Sequence, residues 1–149
     1  MIRILLADDH MVVRRGIRYL LEEDPQILVQ DEASDGQEAW ELLNQLQPDM
    51  AILDIRMPGI SGIELTRRIK TQFPNVRVLI LTAYDDEPYV SALLNAGADG
   101  YVLKTASGKE FMRAVKAVAA GEAADEGLPD AVGLDGLRGV HSVFVRQLD

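Results

Sequence analysis

The chain has 149 residues, 48% hydrophobic and 26% charged, with no cysteine and a formal net charge of −9. That is an ordinary globular composition, long enough for one domain with a real core. It excludes a disulfide framework and argues against nonspecific nucleic-acid binding, which needs a basic face. The acidity is spread along the chain: beyond position 122, Asp125, Glu126, Asp130, Asp135 and Asp149 outnumber Arg138 and Arg146. The longest apolar runs are strand-sized, too short to span a membrane, and Met1 leads straight into a strand rather than a signal peptide. A cytoplasmic protein that does not touch membrane is expected.

The first strand occupies residues 2–7 and ends in Asp8-Asp9. Val13, Ile17, Leu20 and Leu21 then fall at i, i+4, i+7 and i+8, one helical stripe. The strand at 27–33 carries Gln30, Asp31 and Glu32 and suits a sheet edge. Asp35 is placed to cap the next helix, with Glu38 completing a capping-box spacing ahead of Ala39, Leu42, Leu43 and Leu46. Trp40 lies off that stripe and is assigned to packing. Met50-Ala51-Ile52-Leu53 is a third strand closing on Asp54. The Met57-Pro58-Gly59 run after it predicts a sharp loop that leaves the Asp54 carboxylate exposed. Leu65, Ile69 and Phe73 mark a helix behind Ser61-Gly62. Residues 76–81 form a strand closing on Thr82, and Val90, Leu93 and Leu94 a helix stopping at Gly97. A strand near 99–103 ends at Lys104, and Phe111, Ala114, Val115, Val118 and Ala119 stripe a last helix ending at Gly121.

This alternation predicts an α/β domain of (βα)5 type over residues 1–121. Right-handed crossovers place helices on both faces of a doubly wound, five-stranded parallel sheet. Strands 1, 3 and 4, the most hydrophobic, belong in the centre. Residues 122–149, with Gly127, Pro129, Gly133, Gly136 and Gly139, read as a tail or linker remnant in which 140–145 could form a short strand, with Phe144 seeking cover.

In an open parallel sheet the carboxyl ends of the strands line one crevice. There the chain brings Asp8, Asp9 and Asp54 together with the hydroxyl of Thr82 and the amine of Lys104. Such a set suits a phosphoryl group on a carboxylate, a chemistry helped mainly by positioning and charge neutralisation. Asp54 is the candidate nucleophile, although an Asp ending a strand can simply cap a turn. Three clustered carboxylates repel unless a cation joins them, and Mg²⁺ suits them; Asp8 or Asp9 could equally cap the helix starting near Met11. Thr82 can donate to a phosphoryl oxygen, with small Ala83 leaving room, though Thr also favours strand ends for itself. Lys104 can pair with the phosphoryl as a mobile charge. Tyr101 is either core or an inward-turning rotamer coupled to Thr82. His10 is single, and the other histidine, His141, lies in the tail, so a His-ligated transition-metal site is not expected.

The stretches Leu5-Leu6-Ala7-Asp8-Asp9-His10, Ile52-Leu53-Asp54-Ile55-Arg56-Met57-Pro58-Gly59, Leu81-Thr82-Ala83 and Gly97-Ala98-Asp99-Gly100-Tyr101-Val102-Leu103-Lys104 resemble bacterial response-regulator receiver domains. The resemblance implies a flavodoxin-like sheet of order 2-1-3-4-5 and phosphotransfer from a sensor histidine kinase to Asp54. It implies Mg²⁺ held by Asp9, Asp54 and the Arg56 carbonyl, with Asp8 acting through water. Thr82 and Lys104 would bind the phosphoryl group, Thr82 and Tyr101 would form the switch, and Arg56 and Tyr84 would tune acyl-phosphate lifetime. The bulky pair suggests slower dephosphorylation. The readout would be homodimerisation or partner docking through helices 1 and 5 or the helix 4–strand 5–helix 5 face. Asp9-His10 followed by Val13-Arg14-Arg15-Gly16 is similar to the LuxR-type (NarL/FixJ-like) transcriptional regulators. Their DNA-reading helix-turn-helix domain is not matched by residues 122–149, so DNA contact would need an output domain absent from this chain. Thr105 stands where many receivers carry Pro.

Such a receiver is a signalling protein that catalyses only its own phosphorylation and dephosphorylation. A haloacid-dehalogenase-type phosphatase would need Asp-x-Asp after the first strand, where this chain has Asp8-Asp9. A Rossmann-type nucleotide module would need a glycine fingerprint in the first βα turn, which is missing.

Overall fold

The computed structural model describes residues 1–83, 87–121 and 143–145, with 87–90 and 143–145 described as backbone. Five β/α units follow one another: β1 (Ile2–Ala7), α1 (Met11–Glu22), β2 (Ile27–Ala33), α2 (Gly36–Leu46), β3 (Met50–Asp54), α3 (Gly62–Gln72), β4 (Arg77–Thr82), α4 (Glu87–Ala96), β5 (Gly100–Leu103) and α5 (Gly108–Ala120). A short β6 (Val143–Val145) follows. The sheet order is β2-β1-β3-β4-β5-β6. The first five strands are parallel, in the doubly wound 2-1-3-4-5 order that the sequence predicts. β6 adds to β5 antiparallel, pairing Gly100, Tyr101 and Val102 with Val145, Phe144 and Val143.

β3 is buried at every position, β4 at all but Arg77 and β1 from Ile4 onward, because helices cover both faces of a parallel sheet. On one face Leu21 of α1 and Phe111, Val115 and Val118 of α5 pack on Leu6, Ile52, Leu79 and Leu81. On the other, Ala39 and Leu43 of α2, Leu65 and Ile69 of α3 and Leu93 of α4 pack on Leu5, Leu53, Val78 and Ile80. Trp40 packs there too, with its ring 6.0 Å from that of Phe73 and the Arg68 guanidinium 5.7 Å over it.

β2 is the outer strand, as its polar residues suggest, but the register is not regular. Ile4 pairs with Val29 whereas Leu5 pairs with Asp31, so Gln30 is an extra residue in a bulge. A one-residue insertion reverses which face each later side chain meets. Ile27 and Val29 therefore lie in the core beneath α1 and α5, while Ala33 lies in the opposite core. Glu32 is turned toward α1, where Arg14 and Arg18 receive it.

The helix starts follow local chemistry. Asp35 Oδ1 accepts from Glu38 N at 2.8 Å. The reciprocal bond runs from Ser34 N to Glu38 Oε1, one residue earlier than a capping box requires. Ser107 and Glu110 form the complete box at α5. The α1 cap is His10, whose N–H donates to Asp8 Oδ1 at 2.8 Å. The acids thus do not cap α1 directly; Asp8 holds the residue that does.

Candidate functional site

The strand ends form a staircase at one edge of the sheet. Ala7 is opposite Leu53, Asp54 opposite Leu81, and Thr82 opposite Leu103. Two ladder bonds continue past the strands, Ile55 N to Leu81 O at 3.0 Å and Lys104 N to Thr82 O at 2.8 Å. Asp8, Asp54, Thr82 and Lys104 are thereby fixed side by side by backbone pairing. Gly59 has φ +77°, the left-handed turn expected after Met57-Pro58. The start of α3 presses on this loop: a Cβ at Gly62 would overlap the Asp54 carbonyl oxygen and reach within 2.8 Å of Ile55 Cα.

The loop does not expose the nucleophile candidate. Asp54 is only 2% exposed and Asp8 is fully buried. The expectation of an open carboxylate is corrected, because Lys104 and the turn after β1 close over it. Lys104 Nζ lies 3.1 Å from Asp54 Oδ2 and 3.2 Å from Asp8 Oδ2. Burial, and then the charge of Asp8, push the Asp54 carboxyl up to about 6 against the pull of Lys104. Burial alone would lower the Lys104 ammonium, but the two carboxylates outweigh it and raise it. Asp9 is exposed, at the mouth of the site. Arg56 is exposed, with its N–H 3.4 Å from Asp54 Oδ1. Thr82 is buried at the strand end, and Tyr101 is buried within the core beneath α2, α3 and α4. Tyr84 lies outside the described residues.

Two features were not anticipated from sequence. The first is a clamp behind Asp8. Arg14 Nη1 donates to the Asp8 carbonyl at 2.7 Å and its Nε to Glu32 Oε1 at 2.7 Å. Arg18 Nη1 holds the other Glu32 oxygen at 2.6 Å. Burial opposes the charge on Glu32, yet the two guanidiniums hold its carboxyl below the usual range. Arg14 one turn into α1 and Glu32 on β2 are far apart in sequence, and only the Gln30 bulge aligns them. The second is His10. Its Nδ1 lies 3.1 Å from Asp9 Oδ1, 3.3 Å from Asp8 Oδ1 and 3.9 Å from Asp54 Oδ2.

The donor set fits a hard divalent cation. Three carboxylates converge, and among the described residues Asp8, Asp9, His10 and Asp54 each offer a ligand atom within 4.8 Å of the others. Asp8 Oδ2 is buried without a hydrogen bond, although Lys104 is close enough to share its charge. A buried oxygen of that kind is costly unless a charge or donor meets it. No helix of the described residues is long and apolar enough to cross a membrane.

A doubly wound sheet with a buried, lysine-paired Asp at a strand end and two further acids beside it is the architecture of a phosphoacceptor domain. The chain belongs to the response regulator receiver domain family, whose model matches residues 4–116. Its relatives are of the LuxR type. Over 122 residues it is 48% identical to the DNA-binding transcriptional activator DevR/DosR of Mycobacterium tuberculosis, covering 81% of this chain and 56% of that one. It is 44% identical over 121 residues to the oxygen regulatory protein NreC of Staphylococcus carnosus, 80% and 56% covered. It spans little more than half the length of such relatives. Among solved structures, the signal receiver domain of the response regulator NarL from M. tuberculosis matches with TM-score 0.78 and 35% identity, covering 81% of this chain and 98% of that one. A LuxR-family two-component response regulator from Aurantimonas sp. SI85-9A1 matches with TM-score 0.77 and 39% identity, 81% and 86% covered. The isolated receiver domain of RcsB from Salmonella enterica, solved with the phosphomimetic BeF3⁻, matches with TM-score 0.75 and 32% identity, 80% and 89% covered.

Proposed function

We propose that residues 1–121 are the receiver of a two-component system and that Asp54 accepts the phosphoryl group of a sensor histidine kinase. The observation that carries this is the buried Asp54 carboxylate, held at a strand end within 3.1 Å of the Lys104 ammonium and bordered by Asp8. In the transfer, an Asp54 carboxylate oxygen bonds to phosphorus while the bond from phosphorus to the kinase imidazole breaks. The electron pair leaves with the imidazole nitrogen, which then takes a proton. Lys104 balances the charge that arrives, and the Thr82 hydroxyl donates to a phosphoryl oxygen. Tyr101 follows Thr82 as the switch, and Arg56 and Tyr84 set access of water to the acyl phosphate. Asp9, Asp54 and the Arg56 carbonyl are the residues to hold Mg²⁺, with Asp8 acting through water. Bound there, the ion would supply charge neutralisation on the phosphoryl oxygens. Self-phosphorylation and dephosphorylation are the only chemistry assigned to the chain.

The phosphoryl group biases two arrangements of one core rather than refolding it. A full switch requires about 5.5 kcal/mol of differential binding, within reach of a doubly charged group in a buried site. Of the two candidate faces, helices 1 and 5 are favoured for a second copy or the kinase. An apolar groove between them, lined by Val12, Ile17, Leu20, Ala106 and Phe111, opens beside Lys104, and Val12 is 83% exposed. The helix 4–strand 5–helix 5 face has its strand edge taken by β6. Residues 122–149 act as a tail rather than a DNA-reading module, and DNA contact belongs to an output domain outside residues 1–149. The protein is placed in the cytoplasm, where such kinases present their phosphohistidine.

The test is intact mass after incubation with acetyl phosphate, with and without Mg²⁺, for wild type and Asp54→Asn. One labile adduct that needs the ion and is lost in the variant is expected. Equal uptake by Asp54→Asn would remove Asp54 as the acceptor.

A further inference from the structure

We propose that Arg14 is a positioning residue for phosphotransfer, holding the Asp8 main chain so that the Asp8 carboxylate stays against Lys104 beside Asp54. This rests on the reading of Asp54 as the phosphoacceptor and extends it to a residue behind the pocket. Asp8 lies just past the end of β1, where strand pairing stops fixing the chain. Its N–H still reaches Ala33 O at 3.1 Å. Its carbonyl is met by a side chain instead, with Arg14 Nη1 donating to it at 2.7 Å. The Asp8 side chain is short, so its carboxylate follows any movement of that main chain. The carboxylate is fully buried, with Oδ2 3.2 Å from Lys104 Nζ and Oδ1 accepting from the His10 N–H at 2.8 Å. Misplacing a group by about 1 Å at a reacting centre can cost about 100-fold in rate.

The guanidinium is itself held from behind. Its Nε donates to Glu32 Oε1 at 2.7 Å, and the other Glu32 oxygen accepts from Arg18 Nη1 at 2.6 Å. Arg18 Nε in turn donates to Glu22 Oε2 at 3.1 Å. The Arg14 and Glu32 side chains are only 12% and 13% exposed, so the fork is an inner contact rather than a solvated pair. Arginine suits this place because one planar group meets a carbonyl and a carboxylate at once. A lysine ammonium is a point charge on a flexible stem and cannot span both in a fixed geometry. The two ends of the fork therefore separate stability from function. The Glu32 end ties α1 to β2, and the Asp8 end reaches the site.

The experiment compares wild type, Arg14→Ala, Arg14→Lys and Glu32→Ala as full chains. It reads the metal-free melting temperature, Mg²⁺ affinity from the rise in melting temperature with the ion, and the rate of acetyl-phosphate labelling well below every melting point. Arg14→Ala should lose stability, bind Mg²⁺ roughly 10-fold more weakly and label roughly 10-fold more slowly, the lower end of what loss of an outer partner costs. Arg14→Lys keeps the charge beside Glu32 but not the fork, so it should recover melting temperature and retain most of the labelling defect. Glu32→Ala should lose stability yet label near the wild-type rate, because Arg14 still reaches the Asp8 carbonyl. Labelling that simply follows melting temperature across the four proteins overturns the proposal and leaves the pair a structural contact. The absence of any Mg²⁺-dependent adduct on wild type would instead remove the phosphoacceptor reading, and the proposal with it.

Discussion

Lys104 and Asp54 meet at 3.1 Å in the floor of the site, and the same ammonium stands 3.2 Å from Asp8, so one cation serves two buried acids. The shortfall leaves the Asp54 carboxyl pushed up to about 6, mainly by burial and then by the charge of Asp8. From the ordinary aspartate range up to that value the native state binds more protons than the unfolded chain, so stability falls as pH rises through that window and the full penalty stands above it. Asp54→Asn removes the penalty. It should be more stable than wild type by about 1–3 kcal/mol at pH 7.5, with the advantage fading as pH falls toward 4. Urea unfolding across that range checks this, and an advantage that grows on acidification would contradict it.

Removing the shared cation should act in the opposite direction. Lys104→Met leaves Asp8 and Asp54 facing each other under cover, and breaking a buried ion pair from one side typically costs about 3–5 kcal/mol. A divalent ion can replace the lost charge, so Mg²⁺ should raise the melting temperature of Lys104→Met more than that of wild type. Equal Mg²⁺ responses would show that the ammonium and the ion do not share the same carboxylates.

Backbone closeness around Asp54 has its own test. Gly62→Ala forces a methyl against the Asp54 carbonyl and Ile55 Cα, and overpacking of this kind costs about 1–3 kcal/mol. Gly16, exposed in the middle of α1, has nothing within 4 Å of an added Cβ. Gly16→Ala should therefore stabilise by about 0.5–1 kcal/mol through helix propensity. Gly62→Ala should also slow acetyl-phosphate labelling, because the loop that carries Asp54 must shift, whereas Gly16→Ala should not. Loss of stability in both variants, or in neither, would argue against this packing account.

Much of the fold was legible because period and punctuation agree. Ile17, Leu20 and Leu21 of the α1 stripe face the sheet, Gly97 and Gly121 end their helices in left-handed turns, and the most apolar strands are central. The site residues were legible for a related reason: each closes an apolar run, and parallel pairing brings such ends together. What failed to show was anything that depends on register or on a side chain's direction. The Gln30 bulge leaves no pattern in the sequence, yet it turns Glu32 toward Arg14. His10 looked isolated because its partners are carboxylates supplied by the Asp8 turn and by β3. The burial of Asp54 does not show in the sequence, because the loop after it predicts exposure and only the fold shows that the Lys104 side chain lies against the carboxylate. The tail's short strand was foreseen, but its antiparallel seat on β5 was not.

The clamp behind Asp8 offers a measure of coupling. Arg14 and Glu32 are largely buried, and Arg14 alone also ties the Asp8 carbonyl. Glu32→Ala strands the Arg14 guanidinium and Arg14→Ala leaves the Glu32 carboxylate to Arg18 alone, while removing both members leaves neither exposed to the loss of the other, so the double variant should be less destabilised than the sum of the singles by about 0.5–3 kcal/mol. Arg14→Ala should also weaken cation binding in a way that Glu32→Ala with Arg14 intact does not. Strict additivity would reduce the pair to a surface contact.

The edge strand carries the last prediction. β6 pairs with Gly100, Tyr101 and Val102, covering the edge that β5 would otherwise present to another chain. Proline cannot donate to a ladder and is tolerated poorly within one. Phe144→Pro should therefore leave the parallel sheet intact while opening the β5 edge. Amide hydrogen exchange should accelerate at residues 100–102 and stay unchanged in β1 and β3. If helices 1 and 5 form the docking face, phosphorylation-dependent self-association should persist in this variant. If association is instead strengthened, the uncovered β5 edge competes for partners, and the tail acts as its guard.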